Sequence, residues 1–264
     1  MNPELGTTII KLGGAVAASP DACASLWREV AAMDGPVVVV HGGGPQATDL
    51  ARRLGHEPRI VAGRRVTTDL DLDVALYVMR GSVNARLVGS AKASGVNAVG
   101  VSGADGGLVG VVRRPPREID GETVDFGHVG DVVGVDPALL GALLGAGFTP
   151  VVASVCADRE GNLYNVNADT VALELAVALG AARLILVAEA SGVRRDAADP
   201  STLISRITPE AISAGVEAGW IAGGMRPKLE VAREALSRGV PEVRVTSPAA
   251  VSDATRGTTI APEA

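Results

Sequence analysis

Pro36-Val37-Val38-Val39-Val40-His41-Gly42-Gly43-Gly44-Pro45 passes from four consecutive valines, through one histidine, into three glycines and a proline. β-branched side chains favour a pleated backbone, and an apolar run without alternation suits a strand covered on both faces. Three successive glycines lose much chain entropy on folding unless the backbone must approach something closely, and a proline at the first helical position opens a helix. The stretch therefore reads as a buried parallel strand, a tight turn and a helix N-terminus. His41 is read as a hydrogen-bonding residue of that turn rather than as a catalyst.

The same rhythm recurs along the chain. Short β-rich runs at Thr7–Leu12, Ala98–Ser102, Pro150–Val155, Leu184–Val187 and Val243–Thr246 alternate with helical periodicity over Pro20–Met33, Pro45–Leu54, Asp71–Ser94, Pro137–Ala146, Ala168–Leu179 and Pro227–Ser237. Strands alternating with helices predict a three-layer α/β fold with an open, mainly parallel sheet, whose ligands gather at the carboxyl ends of the strands. Val109 to Asp131 departs from this rhythm and reads as a β-ribbon excursion turned at Asp120-Gly121. Arg194 to Leu203 reads as a mobile surface loop near a site. Neither an internal repeat nor a low-complexity linker interrupts the pattern.

Composition narrows the classes of function. With 264 residues, 47% of them apolar, the chain can build a sizeable core, yet aromatics make up only 2%, so that core is aliphatic. A formal net charge of −6 opposes the basic footprint of a nucleic-acid binder, and the scarcity of aromatics removes stacking platforms. Cys23 and Cys156 stand far apart without the paired spacing of a zinc site, which fits a reducing, cytoplasmic compartment. Met1–Leu5 lacks the basic and apolar regions of a leader, and no charge-free apolar stretch reaches about 18 residues, so no membrane is expected.

Three glycine-bearing turns carry the chemistry. Lys11-Leu12-Gly13-Gly14 ends an apolar run, His41 to Pro45 forms the second turn, and Gly223-Gly224-Met225-Arg226-Pro227-Lys228 opens a helix. Backbone N–H groups exposed by glycine, a helix N-terminus and a lysine together suit a phosphate or a carboxylate. Lys11 alone would also fit a strand-ending turn with a solvated lysine. Tyr164-Asn165-Val166-Asn167-Ala168-Asp169 sets two amides and a carboxylate at a helix start, where they can cap the helix or orient the lysines. Arg65 can grip a carboxylate bidentately or lie solvated in its polar loop. The P-loop, the dinucleotide fingerprint, the serine-hydrolase elbow and the paired-histidine zinc motif are all missing, and the three histidines form no metal set.

Taken in order, Lys11-Leu12-Gly13-Gly14, Val40 to Gln46, Gly63-Arg64-Arg65-Val66-Thr67, Val83-Asn84, Gly100 to Gly107, Gly127-His128-Val129-Gly130, Asn165 to Asp169 and Gly223 to Lys228 resemble the N-acetylglutamate kinases of the amino acid kinase family. That resemblance implies an open α/β/α sandwich, with residues 1–181 binding the acetylated amino acid and forming a homodimer, and residues 182–264 binding ATP. It further implies that Lys11 and Lys228 stabilise the transferring phosphoryl group and that Asp169 organises both. Gly14, Gly43 and Gly44 would offer backbone donors, and Arg65 and Asn165 would hold N-acetyl-L-glutamate. Gly13, Glu189, Ser191, Gly192, Val193, Gly224 and Met225 would bound the nucleotide, with Mg²⁺ held mainly through the ATP phosphates and no protein-held metal. Two positions depart from the pattern: Glu189 stands where relatives often carry an aspartate, and Ala104 where they often carry a lysine. With ten residues before Lys11, the expectation is a dimer without the N-terminal helix that builds arginine-sensitive hexamers in some relatives.

Two other readings are carried forward. A kinase of lysine biosynthesis acting on aminoadipate or glutamate attached to an acidic carrier protein would share fold and chemistry, and the basic run Arg113-Arg114-Pro115-Pro116-Arg117 keeps it open. A non-catalytic ATP or amino-acid sensor would keep the fold and lose one of the charged positions.

Overall fold

The computed structural model describes Gly6–Ala261; Met1–Leu5, on which the expectations about a leader and an N-terminal helix rest, lies outside the described residues. In chain order the strands are β1 (Thr8–Leu12), β2 (Val37–His41), β3 (Ile60–Val61), β4 (Arg64–Arg65), β5 (Ala98–Ser102), β6 (Val109–Arg113), β7 (Arg117–Ile119) and β8 (Glu122–Val124). They continue as β9 (Gly130–Val135), β10 (Thr149–Ala153), β11 (Val155–Ala157), β12 (Leu163–Asn165), β13 (Arg183–Val187), β14 (Arg206–Ile207), β15 (Glu242–Thr246) and β16 (Thr258–Ile260). The α-helices are α1 (Gly14–Ala18), α2 (Pro20–Ala31), α3 (Gly44–Arg53), α4 (Asp69–Ala75), α5 (Asn84–Ala93), α6 (Ala138–Gly145), α7 (Ala168–Ala178), α8 (Pro209–Glu217) and α9 (Met225–Ser237).

Eight strands form the central sheet in the order β14-β16-β15-β13-β1-β2-β10-β5. All neighbours run parallel except β15 and β16. Alternation along each strand divides the core between two faces, as the strand period of two requires. Ile9, Val38, Val40, Leu184 and Leu186 pack with Val171, Leu175, Leu229 and Ala232 of α7 and α9. Ile10, Val37, Val39, Ile185 and Val187 pack with Leu26, Trp27, Ala47, Ala51 and Leu87 of α2, α3 and α5. The result is the three-layer α/β/α sandwich with a mainly parallel sheet. Because β13 joins on the far side of β1 from β2, the strand order reverses at β1, and the crevice at the carboxyl ends of β1 and β13 is where such a fold binds ligands.

Three readings need correction. The helix expected over Asp71–Ser94 begins earlier, at Asp69, because Thr68 and Asp71 form a reciprocal capping box there. It also passes through a π-helical segment, Leu76–Val83, that separates α4 from α5. The widened turn brings Met79 and Val78 against Gly43, whose Cβ would lie 3.0 Å from Met79 Cγ. The run Pro150–Val155 is two strands: it breaks at Ser154, whose N–H bonds the His41 carbonyl, and β11 joins a second, four-stranded sheet, β12-β11-β6-β9. The ribbon turned at Asp120 (φ 51°) and Gly121 (φ 83°) is present as β7 and β8, and β6 and β9 on either side of it belong to that second sheet. Helices α1 and α8 and strands β3, β4, β12, β14 and β16 went unread, so Arg65, read in a polar loop, lies on a strand. Arg194 to Leu203 is a loop closed by a bridge between those two residues, and Arg195 lies over the Trp220 ring at 4.7 Å.

His41 is fully buried at the end of β2. Its Nδ1 lies 2.7 Å from the Gly42 carbonyl and its Nε2 3.0 Å from Asn84 Nδ2, a pattern that a neutral ring donating from Nδ1 satisfies. Burial lowers the His41 pKa to about 4, opposed by the bond to Gly42. With the folded value below the unfolded 6.5, the unfolded chain binds the extra proton first, so the neutral ring's contribution is whole above 6.5 and drains away as pH falls towards 4. Urea unfolding from pH 7 to pH 4 is expected to show a stability loss on the order of 3 kcal/mol from this group. The His41→Gln variant should show a correspondingly flatter pH slope, and an unchanged slope would remove His41 as the cause.

Candidate active site

Lys11, the fourth residue of β1, is buried, and its Nζ donates to Asp169 Oδ2 at 2.8 Å. Asp169 stands in the first turn of α7, where Asn167 Oδ1 accepts from its N–H and caps the helix. The second carboxylate oxygen, Oδ1, is buried with no hydrogen-bond partner among the described residues. Both residues line a cleft of about 310 Å³ together with Gly14, Gly43, Gly44, Arg65 and Asn165. Gly14 also borders a second cleft of about 270 Å³, lined by Gly13, Glu189, Gly224, Met225 and Lys228.

The two clefts sit at glycine turns whose helices lack side-chain caps. Gly43 begins α3 and Gly224 begins α9 with no side-chain cap, whereas α2, α4 and α8 are capped by Ser19, Thr68 and Thr208. Uncapped first-turn N–H groups with the positive end of the helix dipole behind them form a ready seat for an anion. A Cβ on Gly14 would lie 2.6 Å from Pro45 Cδ, so the first and second turns can touch only because this residue is glycine. Gly44 and Gly224 have nothing within 4 Å of a Cβ position and leave their backbone open.

Lys228 behaves differently from Lys11. Among the described residues its Nζ reaches only the Gly224 carbonyl, at 3.4 Å, and it makes no direct contact with Asp169. Burial lowers its pKa, repulsion from Lys11 lowers it further, and attraction to Asp169 partly offsets both. Asp169 therefore meets Lys11 through a bond and acts on Lys228 only through its field.

Arg65 is braced rather than free: NH1 donates to Asp71 Oδ1 at 3.3 Å, and NH2 to Thr48 Oγ1 at 2.6 Å and the Gly44 carbonyl at 3.3 Å. Asn165 Nδ2 donates to Thr67 Oγ1 at 3.3 Å. Of the expected nucleotide contacts, Ser191, Gly192 and Val193 line neither cleft. Val193 is buried with its N–H on Thr258 Oγ1, and a Cβ on Gly192 would strike that hydroxyl at 2.6 Å, so both hold the loop to β16. The cleft also gathers residues that the sequence reading did not assign: Thr48, Arg64, Met79, Arg114 and Ser154. Arg64 and Arg114 stood inside motifs already quoted, while nothing local to Met79 signals a cleft. Among the described residues, no group of three or more His, Cys, Asp or Glu could hold a metal ion.

Asp71 holds this wall together. Its carboxylate also accepts from Thr68 and from His56 Nε2 at 3.1 Å. Burial would raise its pKa, but the bonds from Thr68 and His56 hold it below the usual carboxylate range. Asp71→Asn is expected to lower stability by about 1–3 kcal/mol, since Arg65 and His56 would face an amide in a buried position. A melting temperature equal to wild type would contradict this.

The chain matches the amino acid kinase family over residues 6–247. It is 44% identical over 239 residues to an acetylglutamate kinase of Methanopyrus kandleri, covering 90% of this chain and 94% of that protein. It is 45% identical over 252 residues to the acetylglutamate kinase of Anaeromyxobacter sp. strain K, covering 94% and 93%. A crystal structure of a Streptococcus mutans UA159 protein superposes with a TM-score of 0.79 at 25% identity, covering 97% of this chain and 99% of that one.

Proposed function

The chain belongs to the amino acid kinase family, and we propose that it transfers the γ-phosphoryl group of ATP to the side-chain carboxylate of N-acetyl-L-glutamate. The products are N-acetyl-L-glutamyl 5-phosphate and ADP, an early step of arginine biosynthesis. The observation that carries this reading is the pair of clefts meeting at Gly14, one floored by Lys11 and Asp169 and the other bordered by Lys228. The acceptor cleft draws its lining from residues 11 to 169, and the other from residues 13–16, 188–190 and 224–228. This supports acetylglutamate binding by residues 1–181 and ATP binding mainly by residues 182–264.

The acceptor carboxylate, with a pKa of about 4.3, is ionised at neutral pH and needs no general base. What opposes reaction is repulsion between that anion and the triphosphate. The donor set fits this need: open backbone at Gly44 and Gly224, two uncapped helix starts, and Lys228 without a carboxylate partner among the described residues. Mg²⁺, carried mainly by the ATP phosphates, supplies further neutralisation when bound. As the carboxylate oxygen bonds to the γ-phosphorus, the bond to the ADP oxygen breaks and its electron pair leaves with ADP. Lys11 and Lys228 take up charge on the transferring group, Asp169 keeps Lys11 aimed at it, and Arg65 and Asn165 hold the acceptor.

The carrier-protein reading loses its support from the basic run. Arg113 pairs with Asp125 at 2.8 Å, and Arg114 and Arg117 with Asp131 at 2.6 and 3.4 Å, leaving little free positive charge for an acidic partner. The sensor reading is disfavoured because Lys11, Asp169 and Lys228 are all in place. The protein works in the cytoplasm as a homodimer in this proposal, and Leu70 on α4 and Tyr77 in the π-helical segment that follows it are exposed apolar side chains available to a second copy. Sedimentation as a monomer would remove the dimer.

Trapping acyl phosphate with hydroxylamine tests the reaction. Hydroxamate should form from Mg-ATP with N-acetyl-L-glutamate and not with free glutamate, whereas preference for carrier-linked aminoadipate would move the protein to lysine biosynthesis. Lys11→Ala and Lys228→Ala should each lower kcat by about 100-fold or more, the effect of losing one preorganised donor; turnover near wild type would sink their assignment.

A further inference from the structure

Asn84 and Gly100 stand in two of the runs that resemble the family, yet neither borders the Lys11 cleft or the Lys228 cleft. They meet behind the glycine turn. A Cβ on Gly100 would collide with Asn84 Oδ1, so the glycine is what admits the amide. Asn84 is buried at the start of α5, where its Nδ2 lies 2.9 Å from the Val151 carbonyl, 3.4 Å from the Val101 carbonyl and 3.0 Å from His41 Nε2. Carbonyl oxygens only accept, so the atom that faces them is the amide nitrogen, a donor. His41 Nε2 must then accept from it, and in a neutral imidazole the one proton falls to Nδ1. Burial, which lowers the His41 pKa to about 4, keeps the ring neutral at pH 7. Nδ1, 2.7 Å from the Gly42 carbonyl, is the nitrogen left to donate there.

That bond fixes a peptide plane. No peptide bond among the described residues is cis, and in a trans peptide the carbonyl and the N–H point in opposite directions. With the Gly42 carbonyl drawn to the buried ring, the Gly43 N–H faces the other way. Gly42, Gly43 and Gly44 all line the Lys11 cleft, whereas His41 does not. Among the described residues the Gly43 N–H has no hydrogen-bond partner. A peptide between two glycines has no Cβ on either side to bar a flip, so its direction must be set from outside. We propose that Asn84 and His41 are positioning residues: Asn84 sets the ring tautomer, and Nδ1–H holds the Gly42–Gly43 peptide with its N–H turned to the phosphoryl group in transfer. This rests on the Lys11 cleft being where N-acetyl-L-glutamate is phosphorylated. A donor fixed in advance towards developing charge acts on turnover more than on ground-state binding.

Two replacements of His41 separate aiming from support. Asn sets an amide nitrogen where Nδ1 stands and can still donate to the Gly42 carbonyl, but it falls short of Asn84. Gln reaches the place of Nε2 and can accept from Asn84, but it has no donor for Gly42. Melting temperatures record the support that each variant loses. With Mg-ATP and N-acetyl-L-glutamate, His41→Gln should lose at least about 10-fold in kcat with KM little changed, while His41→Asn keeps kcat close to wild type. If His41 served only as support, kcat would follow stability; that pattern, or equal turnover in the two variants, overturns the inference while leaving the reaction standing. Nitrogen-15 NMR of the wild type at neutral pH needs no substrate: a proton on Nδ1 of His41 is expected, and a proton on Nε2 overturns the part given to Asn84. A wild type that yields no hydroxamate from N-acetyl-L-glutamate overturns the reaction itself, and the positioning role with it, whatever the tautomer.

Discussion

The pairing of β1 with β13 is the constraint from which the site follows. Five register pairs, from Thr8↔Arg183 to Leu12↔Val187, place the first strand of the chain beside one that comes about 170 residues later. Because both strands end at the same level, Lys11-Leu12-Gly13-Gly14 and Ala188-Glu189 emerge side by side, and Gly13 N–H reaches back to the Val187 carbonyl. With β2 on the other flank of β1, the His41 to Pro45 turn is brought to the same edge. A shift of register by one residue would turn Lys11 to the opposite face, away from Asp169 on α7.

Electrostatic economy is the second theme. The cleft lined by Lys11 is rich in cations, yet most of that charge is met locally by Asp169, Asp71 and Asp131. Isolated charges at a partly dry site are unfavourable, and pairing fixes geometry as well as energy. Lys11 shows what pairing achieves: the ammonium of a side chain on a buried strand is met by a single carboxylate at 2.8 Å. Among the described residues, the second oxygen of that carboxylate has no hydrogen-bond partner and the Lys228 ammonium reaches only the Gly224 carbonyl, so both keep the capacity for a further contact.

Much of this was legible in the sequence because it is encoded locally. The valine run, the glycines after it and the proline that opens α3 specify strand, turn and helix without help from the rest of the chain. Lys11, Asp169, Arg65, Asn165 and the glycines of all three turns were readable because each sits in a short motif at an element end, and the structure brings all of them but Gly223 around two adjoining clefts. What stayed hidden depends on contacts distant in sequence. Nothing near Ser154 reveals that the strand leaves one sheet for another there, and β14 and β16 are too short for periodicity to register. The π-helical segment has an ordinary helical composition, so Met79 gave no sign of reaching the cleft. Ser191, Gly192 and Val193 were expected to bound the nucleotide because their segment resembles that of the family; no local pattern shows that the Val193 N–H bonds the hydroxyl of Thr258, 65 residues further on.

The scarcity of aromatic residues gives the molecule a built-in optical label. Its two tryptophans occupy opposite circumstances: Trp27 is sealed in the core beneath α2, whereas Trp220 is half-buried under the Arg195 guanidinium, three residues before the Gly223-Gly224 turn. Emission from Trp27 should stay blue and shielded from quenchers, a steady internal reference. Emission from Trp220 will follow any rearrangement of the 194–203 loop or of the turn that leads to Lys228. The unmodified chain thus carries both a standard and a sensor for motion on that side of the sheet.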